Sequence, residues 1–228
     1  MTIPKDLYQT FDETLRFQGA LERVIELTQQ PTRKIIGIAG LPGSGKSTLA
    51  DYLAMRINNG EPSPLVASVS MDGFHLSKTA LLQLDNPAEA LKRRGAPWTF
   101  DSVGFCRSLQ NFKQHPNNTL FWPSFDHAIG DPIVDAISIP SDIKVLIVEG
   151  LYVLHNDHGF EAGTQYLDQR WFIDLPFEVA MHQLAKRHQR VWGITADQAQ
   201  QRILANDSLN AHIAYQSRQY ADLHLSSD

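Results

Sequence analysis

An α/β fold is predicted: a three-layer sandwich with a mostly parallel central sheet, helices on both faces and a small helical lid. Three observations predict it. Short apolar runs at 33–39, 143–148 and 170–175 have the unbroken character of strands covered on both faces. Segments with apolar residues at helical spacing lie between them. The alternation of the two throughout the chain implies parallel pairing with right-handed crossovers.

The elements follow in order. Residues 11–29 read as a helix, with Leu21, Val24 and Ile25 at helical spacing and Pro31 closing it. RKIIGIA at 33–39 reads as a buried strand. A Gly-rich turn leads to a helix from about Lys46 with Leu49, Leu53 and Ile57 on one face. Val66–Met71 is a second strand, 101–113 a helix and Leu120–Trp122 a short strand, with Phe121, Trp122 and Phe125 read as a core wall. IKVLIV at 143–148 is the strongest buried-strand signal, and RWFIDL at 170–175 is another. Phe177–Val191 is helical by pattern, and Thr195 with Gln198 forms a capping box that starts a helix near Ala196.

Composition narrows the function. At 228 residues, 43% apolar and 20% charged, the chain makes one domain with a small appendage and excludes wholesale disorder. A net charge of −5, from 20 basic and 25 acidic residues, argues against a dedicated nucleic-acid binder. Cys106, the single cysteine, excludes an intramolecular disulfide. The start, MTIPKDLYQTFDE, lacks the pattern of a signal peptide, and no apolar run is long enough to span a bilayer. A cytoplasmic location is expected, with no nucleic-acid or membrane partner.

The chemistry lies first in Gly40-Leu41-Pro42-Gly43-Ser44-Gly45-Lys46-Ser47-Thr48, which fits G-x-x-x-x-G-K-[ST]. Glycines let backbone N–H groups curl around phosphate oxygens, and the following helix points its positive end at the anion. Lys46 reaches the β- and γ-phosphates, and Ser47 can ligate Mg²⁺. A strand before and a helix after separate this P-loop from an incidental Gly-rich turn, and the fold becomes that of a P-loop NTPase. No N-K-x-D stretch reads guanine, Asp101-Ser-Val-Gly104 follows no buried strand, and no LSGGQ-like signature is present. Asp72, in Met71-Asp72-Gly73-Phe74-His75, ends the second strand, where ligands of parallel sheets bind. Its carboxylate can accept a hydroxyl proton or hold a magnesium-bound water; the plainer reading is a turn-forming Asp-Gly pair.

Strand, loop and MDGFHL together resemble the phosphoribulokinase, uridine kinase and pantothenate kinase superfamily of P-loop kinases, nearest to bacterial nucleoside/nucleotide kinase-like proteins. The pantothenate kinase stretch R-K-G-x-P-x-x-[YF]-D is similar to Arg93–Asp101, the family's E-G-[LI]-x-x-L to Glu149–Leu154, and its aromatic-Asp element to Phe125-Asp126-His127. The likeness runs from about 33 to 215, so residues 1–32 are read as an N-terminal helical extension, 33–228 as the kinase domain and about 186–200 as the lid. Pro123-Ser124-Phe125 stands where pantothenate kinases carry Y-S-H.

The resemblance implies ATP and Mg²⁺ as cofactors, Glu149 and Ser47 organising the metal, and lid arginines, Arg187 and Arg190, neutralising the transferring group. Acceptor contacts are expected from His75, Arg93, Arg94, Asp101, Asp126 and His127. Adjacent arginines suit a carboxylate or phosphate; the carboxylates suit sugar hydroxyls. Arg187 and Arg190 equally suit a solvated helix end. His155 and His158 lie three apart, but a zinc site needs at least three protein ligands and the spacing offers no third, so zinc is not expected. The function implied is transfer of the γ-phosphoryl group of ATP to a hydroxyl of a small metabolite: a nucleoside, a pantothenate-like compound, a sugar or a hydroxy acid. The alternative is a nucleotide-dependent switch or accessory ATPase. A homodimer is left open.

Overall fold

The structure, a computed structural model, describes residues 15–126 and 129–226. Helix α1 (Leu15–Thr28) leads to strand β1 (Lys34–Gly40), the loop, and α2 (Lys46–Asn58). Strand β2 (Val66–Ser70) runs into a 3₁₀ turn, Met71–Phe74. Helices α3 (Lys78–Leu81), α4 (Pro87–Lys92) and α5 (Ser102–Gln114) follow. Strands β3 (Leu120–Asp126) and β4 (Asp131–Ile139) form a hairpin. Then come β5 (Val145–Glu149), α6 (Glu161–Thr164) and β6 (Gln169–Asp174). Helices α7 (Phe177–Trp192) and α8 (Ala196–Arg202) continue through a π-helical turn, Ile203–Asp207, into α9 (Ser208–Gln216). Strand β7 (Leu223–Ser226) ends the described chain.

The main sheet has the order β2-β5-β1-β6-β7, with every pair parallel. Alternation along its strands builds two cores. Ile36, Ile38, Val145 and Ile147 pack against Ala20 and Val24 of α1 and Leu49 and Leu53 of α2. Ile35, Ala39, Leu146 and Val148 face the other way, toward Phe105 and Leu109 of α5 and Trp122 of the hairpin. The two faces explain why β1 and β5 read as unbroken apolar runs.

The central sheet is parallel, as the alternation of strands and helices implies, and a hairpin stands apart from it. Strands β3 and β4 are antiparallel and form their own sheet. So short a connection admits only antiparallel neighbours. The predicted core wall also divides. Trp122 is fully buried and its indole N–H donates to Ser70 O at 2.8 Å, whereas Phe121 is 53% exposed. Successive strand residues point to opposite faces, so the two cannot share the core. Among the described residues, no helix is long and apolar enough to cross a membrane.

One buried cation ties the far end of the sandwich together. Arg33 lies just before β1 and is 5% exposed. Its guanidinium donates to Phe112 O (3.2 Å), His115 O (3.3 Å) and Ser141 O (3.0 Å), with Pro140 O and Asn118 O at 3.4 and 3.5 Å. It also stacks over Phe112, 4.5 Å from the ring centre. The end of α5 and the β4–β5 connection therefore share one fork. Arg33→Leu is expected to lower stability by about 2–4 kcal/mol, since it strands several carbonyls at once. Urea unfolding measures this; a loss below about 0.5 kcal/mol, as for an ordinary surface change, would mean water replaces the fork.

Candidate active site

The C-terminal ends of β1, β2 and β5 meet at one level: Ser70 and Ile38 are both in register with Glu149. This is the edge where parallel sheets bind ligands. The phosphate loop rises from it. Gly43 has φ 83°, and a Cβ there would stand 2.4 Å from Ala180 O of α7. Only glycine allows both that backbone turn and that close approach. Gly45, φ 87°, caps α2. Lys46 begins α2, is 8% exposed and donates from Nζ to Leu41 O (2.9 Å) and Gly40 O (3.1 Å).

Burial pulls the Lys46 ammonium down to about 8 from an ordinary 10.5; Glu149 and Asp72 oppose the shift and Arg187 adds to it. A base lowered in the folded state costs stability while charged, so the cost is full below about pH 8 and fades as the pH climbs toward 10.5. A polyphosphate favours the charged form. Above pH 8, nucleotide binding is therefore expected to take up a proton, and affinity to fall by up to about tenfold per pH unit. Calorimetry at pH 7 and 9 in buffers of different ionisation enthalpy checks this. Equal affinity without proton uptake at pH 9 would contradict it.

Ser47 Oγ donates to Glu149 Oε1 at 2.9 Å. Burial raises the proton affinity of Glu149; Lys46 and the hydroxyls of Ser70 and Ser47 oppose that, and Asp72 adds to it. A hydroxyl and a carboxylate oxygen beside the cradle are the hard donors Mg²⁺ takes, so the residues fit that ion. Asp72 sits in the 3₁₀ turn after β2. Its backbone is fixed: N–H donates to Ser70 Oγ (3.2 Å), and O accepts from the His75 ring Nδ1 (2.8 Å). Its half-buried carboxylate makes no hydrogen bond or ion pair among the described residues, yet its charge reaches Lys46, Glu149 and Tyr152. Gly73 is needed because a Cβ would lie 2.0 Å from Pro123 O of the hairpin.

The predicted acceptor residues divide. His75 lies between Phe100 (4.0 Å) and Phe125 (4.6 Å). Arg93 donates to Asn206 Oδ1 (2.9 Å) and Asn210 Oδ1 (3.1 Å). Arg94 is held by Asp131 (2.8 Å), Leu76 O (2.9 Å) and Gly130 O, binding the hairpin to the loop after the 3₁₀ turn. Asp101 caps α5, its carboxylate accepting from Gly104 N–H at 2.8 Å. Asp126 accepts from Ile129 N–H at 3.2 Å in the hairpin turn. His127 lies outside the described residues. Tyr152 donates to Gly95 O (2.7 Å); burial raises its phenol, Arg93 opposes that, and Asp72 and Asp207 add to it. His155 and His158 pair with each other at 3.3 Å.

Arg187 and Arg190 are exposed on α7, and the charge of Arg187 reaches Lys46. The capping box at Thr195 and Gln198 forms as read. What sequence reasoning missed is the anchor behind this helix. His188 is buried, donates from Nε2 to Asp207 Oδ2 at 2.8 Å and stacks on Trp192 at 4.4 Å. Arg202 covers the same indole at 4.4 Å. The partners lie 19 residues apart, on two helices, and only the arrangement of the helices shows the pair. A cavity of about 620 Å³ was also missed. It is lined by Asp174–Glu178, His212, Tyr215 and Ser226. The loop packs on both sides of that segment: a Cβ at Gly40 would be 3.1 Å from Ile173 O, and Gly43 abuts Ala180. The segment that lines the cavity therefore packs against the phosphate loop at both ends, and the cavity's volume lies in the range of small-ligand sites.

Fold and cradle define a P-loop kinase. The phosphoribulokinase/uridine kinase family pattern matches residues 35–227, and the chain belongs to that family. It is 40% identical over 190 residues to "Putative uridine kinase C227.14" of Schizosaccharomyces pombe, covering 82% of this chain and 80% of that one. The crystal structure of a "putative fructose transport system kinase" from Silicibacter sp. TM1040 is similar, with TM-score 0.79 and 34% identity over 92% of this chain and 98% of that one. YFH7 from Saccharomyces cerevisiae shares the fold at TM-score 0.81 and 21% identity, over 92% of this chain and 99% of that one. The family implies use of ATP.

Proposed function

We propose that this chain transfers the γ-phosphoryl group of ATP to an alcohol group of a small metabolite. The observation that carries the reading is the Asp72 carboxylate, half-buried without a partner among the described residues, next to the Ser47–Glu149 pair and Lys46. A switch or accessory ATPase could use such a carboxylate to orient water, but it needs no pocket for an acceptor hydroxyl beside it. In this reading the acceptor oxygen bonds the γ-phosphorus, its proton passes to Asp72, and the bond to the β–γ bridging oxygen breaks to release ADP. Lys46 and the loop N–H groups hold the charge that shifts onto the leaving phosphate. Ser47 and Glu149 are the residues that would hold Mg²⁺, which when bound neutralises the β- and γ-phosphates. Arg187 faces the same charge from α7, with Arg190 one turn further along. The cavity beside Asp174 takes the nucleoside part of ATP.

Uridine and fructose, named in the descriptions of the two relatives, belong in the first acceptor panel with glycerate, pantothenate and sugar phosphates. ADP release and transfer of labelled phosphate are measured together. The expected result is strong stimulation by one compound with a phosphorylated product. Hydrolysis that only a protein partner accelerates, with no phosphorylated product, would instead make the chain a switch.

A further inference from the structure

Two adjacent arginines stand in the acceptor region, and the structure gives them opposite environments. Arg94 is a paired cation: Asp131 sits 2.8 Å from it and two backbone carbonyls accept from its terminal nitrogens, leaving Nε buried without a partner among the described residues. Arg93 is not. Its partners are two amide oxygens, Asn206 Oδ1 and Asn210 Oδ1, and the face of Trp98 at 5.4 Å. No carboxylate lies within ion-pair distance of it among the described residues, and its Nη1 makes no hydrogen bond there. The nearest acidic side chain in its supporting segment, Asp207, is already taken by His188 at 2.8 Å. A half-buried guanidinium with only neutral supports keeps its full positive charge and a free edge of donors.

The supports are themselves held in place. Asn206 uses both ends of its amide, accepting from Arg93 Nε and donating to Arg94 O at 2.8 Å. It stands in the π-helical turn, a distortion that recurs at functional sites. Gly95, φ 98°, brings the loop within 3.2 Å of Asn210, and its carbonyl accepts from the Tyr152 hydroxyl. Tyr152 packs on Phe100, Phe100 on His75, and His75 holds the carbonyl of Asp72. A chain of packed contacts therefore links the loop that carries Arg93 to the turn that carries the proposed base, and Tyr152 lies within reach of the charges of both Arg93 and Asp72.

We infer that the acceptor carries an anionic group, a carboxylate or a phosphate ester, which Arg93 binds while the hydroxyl to be phosphorylated lies at Asp72. This rests on the kinase reading above and narrows it from any small alcohol to a hydroxy acid or sugar phosphate. Asn206 and Asn210 are positioning residues for Arg93.

Matched pairs test it: glycerate against glycerol, pantothenate against pantothenol, ribulose 5-phosphate against ribulose, with uridine and fructose as neutral acceptors. Phosphate transfer from labelled Mg·ATP is read for each, with nucleotide binding followed separately. The expected result is transfer to an anionic member at least about 100-fold more efficient than to its neutral twin, the scale of a lost charge-assisted contact. Arg93→Ala should raise KM for the anionic member and reduce the preference to below about tenfold, on the same scale. Arg93→Lys should restore part of it, and Asn206→Ala should raise that KM with little change in kcat. Transfer to a neutral compound as efficient as to any anionic one would overturn the inference and leave the kinase reading standing. An anionic preference untouched in Arg93→Ala would also overturn it. No transfer to any compound, though Mg·ATP binds, would overturn both.

Discussion

Replacing Lys46 by methionine is expected to lower kcat by about 10²–10³-fold while leaving the protein at least as stable. The two effects have one cause. The ammonium is buried at the start of α2, with two loop carbonyls as its bonded partners. Its charge is needed where the β- and γ-phosphates lie, and a group fixed there in advance needs no reorganisation during transfer. The same burial makes the charge costly in the folded protein, which is why its proton affinity is depressed. Methionine has a similar length and no charge to desolvate, so the cost disappears, offset by two carbonyls that lose a donor. Steady-state kinetics and thermal unfolding of one preparation test both halves. A variant that loses activity and also melts well below the parent would show that Lys46 holds the loop together rather than serving the phosphates. Lys46→Arg should not rescue activity, because a planar fork cannot occupy the space of a compact ammonium.

Much of the framework was legible because it is local. The loop glycines, the lysine and the two flanking elements follow one another within 25 residues, and backbone turns, helix starts and apolar runs are written at that range. Strands β1 and β5 read clearly because both of their faces are covered. The Thr195–Gln198 box read clearly because it is a contact three residues apart. The hairpin strand β4 did not, since its middle is exposed and it lacks a clean apolar alternation. Strand β7, four residues long, is held by register with β6 rather than by its own pattern.

The acceptor side was half legible for the same reason. Residue types could be read, but not their partners. Arg93 meets Asn210 across 117 positions, and Arg94 meets Asp131 across 37. Two neighbouring arginines look alike in sequence and differ only in what the fold brings to them. Asp101 shows the converse. It lies in a stretch that resembles a family motif, yet its carboxylate caps α5, where the Asp-x-x-Gly spacing puts a backbone N–H within reach.

Asp72→Asn is expected to reduce kcat by about 10²–10⁴-fold, the range of a positioned general base. The substitution is nearly isosteric, and the structure gives it little to disturb. The turn around Asp72 is held by its backbone, through Ser70 Oγ and the His75 ring, not by its carboxylate. A loss of activity would therefore report chemistry rather than folding. The variant carries a second signature. Asp72 is one of the charges that keep the Lys46 ammonium from falling further. Removing that charge should move the pH at which nucleotide affinity begins to decline to a value lower than in the parent. It should also oppose the protonation of Glu149, whose proton affinity the Asp72 charge raises, so its carboxyl ionises more readily. A general base yields both results together: transfer collapses, and the binding profile shifts to lower pH. A carboxylate that only orders water near the metal would shift the binding profile while leaving a rate within about tenfold of the parent, short of what loss of a base removes. Retention of the parent rate with one verified acceptor would therefore remove Asp72 from the proton transfer and leave the acceptor hydroxyl to give up its proton elsewhere.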